Sequence, residues 1–133
     1  MDLNLLKNAA IFCDLNQDEL ERVAEICSEQ QFKFGHTIFK EDEPGTRLYI
    51  IAEGEVRVSR DVPGSGEEAL AVLKPGACFG EMAVFDRSTR STDAIANTDC
   101  KLLTISRSDF EMLLDFDRDL GYKILRSVVK LLC

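Results

Sequence analysis

Residues 75–96 combine side-chain types that could bind a phosphate and a sugar together. In this segment Gly80 precedes a predicted one-turn helix, Glu81 opens that helix, and Arg90 follows. A helix start offers unpaired backbone N–H groups and a partial positive charge, and an arginine guanidinium is a planar fork that fits a phosphate. A carboxylate would repel a phosphate but can accept hydrogen bonds from hydroxyls. The set therefore predicts a small ligand with one anionic end and one ribose-like end.

Composition limits the classes of partner. The chain has 133 residues, which predicts a single domain over residues 1–133. Sixteen basic and twenty-four acidic residues give a net charge of −8, which argues against direct nucleic-acid binding. We expect no membrane association and a cytoplasmic location, because no apolar run approaches about 18 residues and the start of the chain lacks a signal-peptide pattern.

Metal and catalytic chemistry are poorly represented. The five cysteines are odd in number and lack C-x-x-C spacing, which indicates reduced thiols, and His36 is the only histidine. The sequence shows no cluster of ligands for a zinc or iron–sulfur site. It also shows no grouping of a nucleophile, a base and an acid whose spacing would support catalysis. We therefore expect no metal, no cofactor and no enzymatic activity, which disfavours a jelly-roll enzyme.

The hydrophobic period changes twice along the chain. Residues 1–30 are predicted to be helical, with Asn16 and Glu19 forming a capping box and Cys27 lying on the apolar helix face of Leu20 and Val23. About eight short strands separated by turns are expected over residues 31–106, and helices capped by a serine over 107–133. The predicted fold is mainly β with flanking helices: an eight-stranded jelly-roll (double-stranded β-helix) barrel with an N-terminal helix and C-terminal hinge and terminal helices.

Two motifs resemble a known family. The framework is Gly35-x-x-Ile38-Phe39 followed by Tyr49-Ile50-Ile51-x-x-Gly54-x-Val56, and the second motif is Phe79-Gly80-Glu81-Met82-Ala83 followed by Arg90-Ser91. Together, in this order, they resemble the cyclic nucleotide-binding domain of bacterial catabolite-activator-type regulators, kinase regulatory subunits and gated channels. The resemblance covers nearly the whole chain and identifies residues 79–91 as a phosphate-binding cassette.

The resemblance implies roles for individual residues. Glu81 would hold the ribose 2′-hydroxyl, Arg90 would pair with the cyclic phosphate, and Ser91 would add a hydroxyl donor. The backbone N–H groups of Met82 and Ala83 would donate to the same phosphate, and Gly80 would let the backbone come close. The matching pocket-wall positions are Val58, Leu70 and Leu73. The side chains of Met82, Val84 and Phe85 are expected to be core.

The C-terminal helices are the expected output. A hinge helix over residues 108–115 and a terminal helix over 117–132 would respond to ligand by a population shift. The expected relay residues are Phe85, Phe110, Leu113 and Leu114, with the last three packing near Met82 and Phe85. Family regulators usually continue into a DNA-binding part, which we expect this chain to lack. Ile124, Val128 and Leu131 could pair two copies as a homodimer, could pack on their own barrel, or the helix could meet an unknown effector protein.

Two functions remain open from the sequence. The first is a non-enzymatic sensor of a cyclic nucleotide, with cAMP favoured over cGMP. The second is an interaction module that keeps the fold but has lost the ligand, motivated by Thr92 and Asp93, which depart from the family pattern. Arg90 could also be a surface residue paired with Glu81 or Asp86, and Glu81 could merely cap the short helix.

Overall fold

The chain folds into two antiparallel sheets flanked by helices. A computed structural model describes residues 2–86 and 88–133, apart from the side chain of Ala83. The strands are β1 (Cys27–Phe32), β2 (Thr37–Phe39), β3 (Arg47–Glu53), β4 (Val56–Val62), β5 (Gly66–Leu73), β6 (Cys78–Phe79), β7 (Asp93–Ala96) and β8 (Cys100–Ser106). The helices are α1 (Leu3–Asn8), α2 (Gln17–Glu25), α3 (Glu81–Asp86), α4 (Arg107–Phe116) and α5 (Arg118–Leu132), with a short 3-10 helix at Ala10–Phe12.

The strand order is that of a jelly roll. One sheet runs β1-β8-β3-β6 and the other β2-β7-β4-β5, so every pair of neighbouring strands except the β4–β5 hairpin is distant in sequence. The predicted mainly β fold with flanking helices is confirmed, with the strands arranged as two facing four-stranded sheets. Because β6 and β7 lie in opposite sheets, the segment between them, which carries α3 and Arg90, must cross from one sheet to the other.

The central strands of the first sheet, β3 and β8, are buried on both faces. Leu48 and Ile50 of β3 face the helices, whereas Tyr49 and Ile51 belong to the cluster between the sheets. Successive strand side chains point to opposite faces, so a strand covered on both sides needs an unbroken apolar run. This explains the sequence Leu-Tyr-Ile-Ile in β3 and ties the inter-sheet core to the helical layer through one strand.

The N-terminal helical prediction is wrong in its extent. Helix α2 ends at Glu25, and Cys27 begins β1 rather than continuing the apolar helix face. Strand β1 is mostly polar and lies at a sheet edge, where it pairs with β8 from Cys27↔Ile105 to Phe32↔Cys100. Non-local pairing, which the local apolar period does not reveal, therefore decides its conformation. The predicted capping box of Asn16 and Glu19 is confirmed.

The C-terminal helices pack on the domain itself. The side chains of Ile124 and Val128 belong to the core cluster that also contains Phe12 and Leu120. The predicted dimer face is therefore wrong for these two residues, and the alternative of intramolecular packing is confirmed for them. The physical reason is that α5 covers the outer face of the first sheet together with the N-terminal helices.

Within the described residues, no helix combines the length and apolar character needed to cross a bilayer.

An ion pair links the N-terminal helices to α5. Lys123 Nζ lies 2.7 Å from Glu19 Oε1, and the side chain of Glu19 is 5% exposed. Burial alone would raise the pKa of Glu19, but hydrogen bonds from Lys123 and from the Asn16 amide outweigh it and lower that pKa below 4.5. A carboxyl with a lowered pKa in the folded state stabilises the fold above its unfolded pKa.

We expect Glu19→Gln to reduce the free energy of unfolding at pH 7 by roughly 1.5–3 kcal/mol, because it removes a charge-assisted hydrogen bond. The difference from wild type should shrink as the pH falls through the pKa of folded Glu19. Urea unfolding between pH 7 and pH 3 checks this, with Glu21→Gln on the exposed face of α2 as control. A pH-independent difference would contradict the assignment.

Candidate phosphate-binding site

A cavity of about 460 Å³ lies beside the segment that joins the two sheets. Its volume falls within the roughly 300–1,000 Å³ typical of small-molecule sites. The lining residues are Phe39, Val58, Leu73, Cys78, Phe79, Gly80, Glu81, Met82, Asp86, Ser88, Thr89, Arg90, Ser91 and Thr92. The cassette residues Gly80, Glu81, Met82, Arg90 and Ser91, which the family resemblance implied, thus meet at one cavity, with Val58 and Leu73 on its wall.

Arg90 is buried in the wall of this cavity and is only 4% exposed. Its Nη1 donates to the carbonyl oxygen of Gly80 at 2.8 Å, and its Nη2 donates to that of Arg47 at 2.6 Å. Its Cζ lies 4.2 Å from the centroid of the Phe39 ring. These contacts fix the guanidinium in one place, so Arg90 is not the exposed surface residue that the sequence left open.

No carboxylate in the described part of the chain forms an ion pair with Arg90. Among the described residues, none of the ion pairs within 4.0 Å involves Arg90, although Glu81 and Glu43 are near enough to favour its charged form. Desolvation lowers the pKa of Arg90 from its ordinary value. Its Nε–H is buried and has no acceptor in the described part of the chain. A buried cation of this kind is costly unless an anion arrives to pair with it.

The other cassette residues surround this cation. Glu81 is the first residue of α3 and is half-buried, and Ser91 is exposed at the cavity edge, where its carbonyl oxygen accepts from Arg60 Nη2 at 3.4 Å. Ala83 lies in α3, and its side chain is outside the described part of the structure. Met82 was expected in the core but is 41% exposed and lines the cavity, because it lies on the open side of a short helix whose Val84 is buried.

Leu70 does not line the cavity and is 49% exposed. The pairing of β4 with β5 shifts between Val58 and Ser59, where Val58 opposes Ala71 and Ser59 opposes Ala69. Leu70 is the extra residue of this β-bulge, and a bulge changes the direction of the side chain it carries. Sequence alternation alone could not locate the bulge, so this predicted wall residue is corrected.

Asp93 does not add negative charge to the cavity. Its Oδ1 accepts a hydrogen bond from the backbone N–H of Glu41 at 2.7 Å, and it is not among the lining residues, whereas Thr92 is. The carboxylate instead holds the turn that follows β2. The departure of Asp93 from the family pattern therefore gives no support to the loss of anion binding.

Two contributions to the site were missed from the sequence. Phe39 was treated only as part of the strand framework, yet its ring lies against the Arg90 guanidinium. The backbone carbonyl of Arg47 accepts a hydrogen bond from Arg90, and no side-chain type in the sequence predicts a contact to a carbonyl oxygen.

Cys78 also lines the cavity, and burial, helped by Glu81, raises the pKa of its thiol well above 9.0, which keeps it protonated.

The cassette helix contacts the hinge helix. The rings of Phe85 and Phe110 lie 5.5 Å apart in an edge-to-face arrangement. Phe110 is fully buried, and Phe85, Leu113 and Leu114 pack against the same core cluster. The cassette and α4 are thus in direct apolar contact.

The described residues contain no cluster of three or more His, Cys, Asp or Glu side chains able to hold a metal ion.

The family model described as the cyclic nucleotide-binding domain matches residues 29–117. The chain belongs to this family. Its members are ligand-binding regulatory domains, and the resemblance carried by the framework and the cassette is confirmed.

Several proteins are similar to this cyclic nucleotide-binding domain. The cyclic AMP receptor protein of Thermus thermophilus is 34% identical over 109 residues, covering 82% of this chain and 50% of that protein. The N-terminal domain of a Streptomyces coelicolor transcriptional regulator superposes with a TM-score of 0.88 at 31% identity, covering 96% of this chain and 90% of that one. The regulatory domain of Toxoplasma gondii PKA, crystallised with cAMP, superposes with a TM-score of 0.78 at 25% identity. This match covers 84% of this chain and 42% of that one. The chain spans about half the length of the curated relatives it matches.

Gly80 offers a direct test of how tightly Arg90 is held. A Cβ at Gly80 (φ +78°) would lie 2.6 Å from Arg90 Nη1, whereas one at Gly76 (φ +93°) would meet nothing within 4 Å. Gly76→Ala should cost about 1–2 kcal/mol of unfolding free energy from backbone strain alone. Gly80→Ala should cost about 1 kcal/mol more because it also displaces the guanidinium.

The comparison is completed by urea unfolding of both variants in wild-type and Arg90→Ala backgrounds. The extra cost of Gly80→Ala should disappear when Arg90 is absent. An extra cost that persists in the Arg90→Ala background would contradict the inferred contact.

Proposed function

We propose that this domain senses a cyclic nucleotide, with cAMP preferred over cGMP, by pairing the cyclic phosphate with Arg90. The observation that supports this most is a buried guanidinium on a cavity wall without a carboxylate partner in the described residues. The phosphate supplies the missing anion. The preference for cAMP is supported by the relatives, since the Thermus protein is named for cyclic AMP and the Toxoplasma domain was crystallised with it.

The remaining cavity residues fit the rest of such a ligand. Glu81 accepts from the ribose 2′-hydroxyl, the backbone N–H groups of Met82 and Ala83 donate to the phosphate, and Ser91 adds a hydroxyl donor. A charge-assisted hydrogen bond contributes roughly 1.5–3 kcal/mol. After the costs of ordering are subtracted, this set supports binding in the micromolar range, about −8 kcal/mol. The role is binding rather than catalysis.

The signal passes from the cassette to the C-terminal helices. A ligand on Glu81 and Arg90 holds α3 in one position, and the contact between Phe85 and Phe110 transmits that position to α4. We propose that α4 and α5 adopt two packings that differ in ligand affinity, which is the condition for a population shift. The five cysteines are all free, and this supports the cytoplasmic location that we propose.

We expect Arg90→Ala to weaken cAMP binding at least about tenfold, or 1.4 kcal/mol, because the phosphate loses its cationic partner. Arg90→Lys should fall between the two, since it keeps the charge but loses the planar fork. Isothermal titration calorimetry with cAMP and cGMP checks this, and Arg118→Ala, an exposed arginine at the start of α5, is the matched control. If neither nucleotide binds at millimolar concentration, the proposed function is wrong.

Self-association is the second part of the proposal. An outer stripe of α5 consists of Tyr122, Leu125, Val129 and Leu132, which are 65%, 48%, 58% and 64% exposed. Their spacing of three, four and three residues is the one by which two helices pair in a coiled coil. We propose that the outer stripe, rather than the buried Ile124 and Val128, binds the same stripe of a second copy.

Leu125→Lys should convert a dimer into a monomer, because it places a charge in the centre of the outer stripe. Phe34→Lys is the control, since Phe34 is 71% exposed in the turn between β1 and β2 and lies far from α5 in sequence. Light scattering with size-exclusion chromatography measures the mass with and without cAMP. A monomeric wild-type protein, or a dimeric Leu125→Lys variant, would contradict this interface. A measured molar mass that changes neither on addition of cAMP nor in Arg90→Ala would favour the alternative of a nucleotide-independent interaction module.

A further inference from the structure

The guanidinium of Arg90 rests on a rigid aromatic group. Its Cζ lies 4.2 Å from the centroid of Phe39 and 5.9 Å from that of Tyr49. The Tyr49 and Phe79 rings are stacked at 5.1 Å, and the Phe39 ring lies 6.0 Å from each of them. All three rings are at least 92% buried, because Phe39 is 8% exposed and the others less. The ring beneath Arg90 is therefore held on its other sides by packing.

The aromatic contact does what the hydrogen bonds cannot do. The acceptors at Gly80 and Arg47 receive from Nη1 and Nη2, and guanidinium N–H bonds lie in the plane of the group. Two acceptors define an axis about which the plane can still tilt. The Phe39 ring, whose centroid lies 4.2 Å from Cζ, is close enough to oppose that tilt, and the attraction of a cation for an aromatic face is strongest where water is excluded.

The same segment also fixes the backbone of Arg90. The N–H of Arg90 donates to the carbonyl oxygen of Glu43, and the carbonyl oxygen of Arg90 accepts from the N–H of Asp42, both at 2.8 Å. Phe39 ends β2, and the register of β2 on β7 shifts between Thr37 and Phe39. A register shift of this kind redirects a side chain. Residues 39–43 thus contact both ends of Arg90, its peptide groups and its guanidinium.

We propose that Phe39 is a positioning residue for phosphate recognition: its ring sets the plane of the Arg90 guanidinium before the ligand arrives. This inference rests on the proposed function and adds a residue that acts through Arg90. A charge held in place in advance costs less to order on binding, so affinity gains from the ring even if the ring touches no ligand atom.

Phe39→Leu should weaken cAMP binding about tenfold, and Phe39→Tyr, which keeps the ring face, should restore affinity to within about twofold of wild type. Leu102→Ala, a fully buried change in the same inter-sheet cluster, is the control for general destabilisation and should leave affinity within the same range. Binding is measured by calorimetry well below each variant's melting temperature. Equal affinities of wild type and Phe39→Leu would overturn the inference.

Two further readouts separate positioning from direct ligand contact and from failure of the proposed function. In an Arg90→Lys background, where the planar fork is gone, Phe39→Leu should have a much smaller effect on cAMP affinity; an undiminished effect would mean that Phe39 contacts the ligand itself and would overturn the inference. In ligand-free protein, the NMR signal of the Arg90 Nε–H should be shifted upfield by the ring and lose that shift in Phe39→Leu. An unshifted signal overturns the inference even if cAMP binds, whereas a shifted signal without any cAMP binding supports the contact and overturns the proposed function.

Discussion

The site depends on one buried positive charge, that of Arg90, which forms no ion pair with a carboxylate among the described residues. Arg90 satisfies two of its nitrogens with main-chain carbonyl oxygens, and its Cζ lies over the Phe39 ring, 4.2 Å from the ring centroid. Carbonyl oxygens and a ring quadrupole stabilise a cation but do not neutralise it. The site therefore retains an attraction for an anion that a salt bridge to Glu81 would have cancelled. This property separates a binding site from a structural ion pair.

The fold supplies these neighbours from distant parts of the chain. The acceptor carbonyl of Arg47 lies at the start of β3, the ring of Phe39 ends β2, and Arg90 lies between α3 and β7. Asp42 adopts a φ of 71°, the left-handed region that L-residues rarely occupy, while its N–H bonds Arg90. Backbone strain of this kind costs about 1–3 kcal/mol and persists where the surroundings impose it. The strained turn therefore belongs to the machinery that places the cation.

The sequence was sufficient for whatever rests on residue type and local spacing. Glu81 and Arg90 could be assigned to one site because the residue types and spacing of residues 79–91 match the phosphate-binding cassette of the family that the sequence resembles, and both side chains line the same cavity. The bulge that turns Leu70 outward depends on strand register, which only the partner strand fixes. The polar strand β1 and the buried faces of Ile124 and Val128 depend in the same way on what packs against them. Non-local pairing and packing thus account for these errors.

The most direct measurement is a crystal structure of this domain grown with cAMP. The account predicts the exocyclic phosphate oxygens within hydrogen-bond distance of the Arg90 guanidinium, the ribose 2′-hydroxyl on Glu81, and the Phe39 ring still beneath Cζ. A ligand whose phosphate lies away from Arg90, while its guanidinium contacts only the carbonyl oxygens of Gly80 and Arg47, would contradict it.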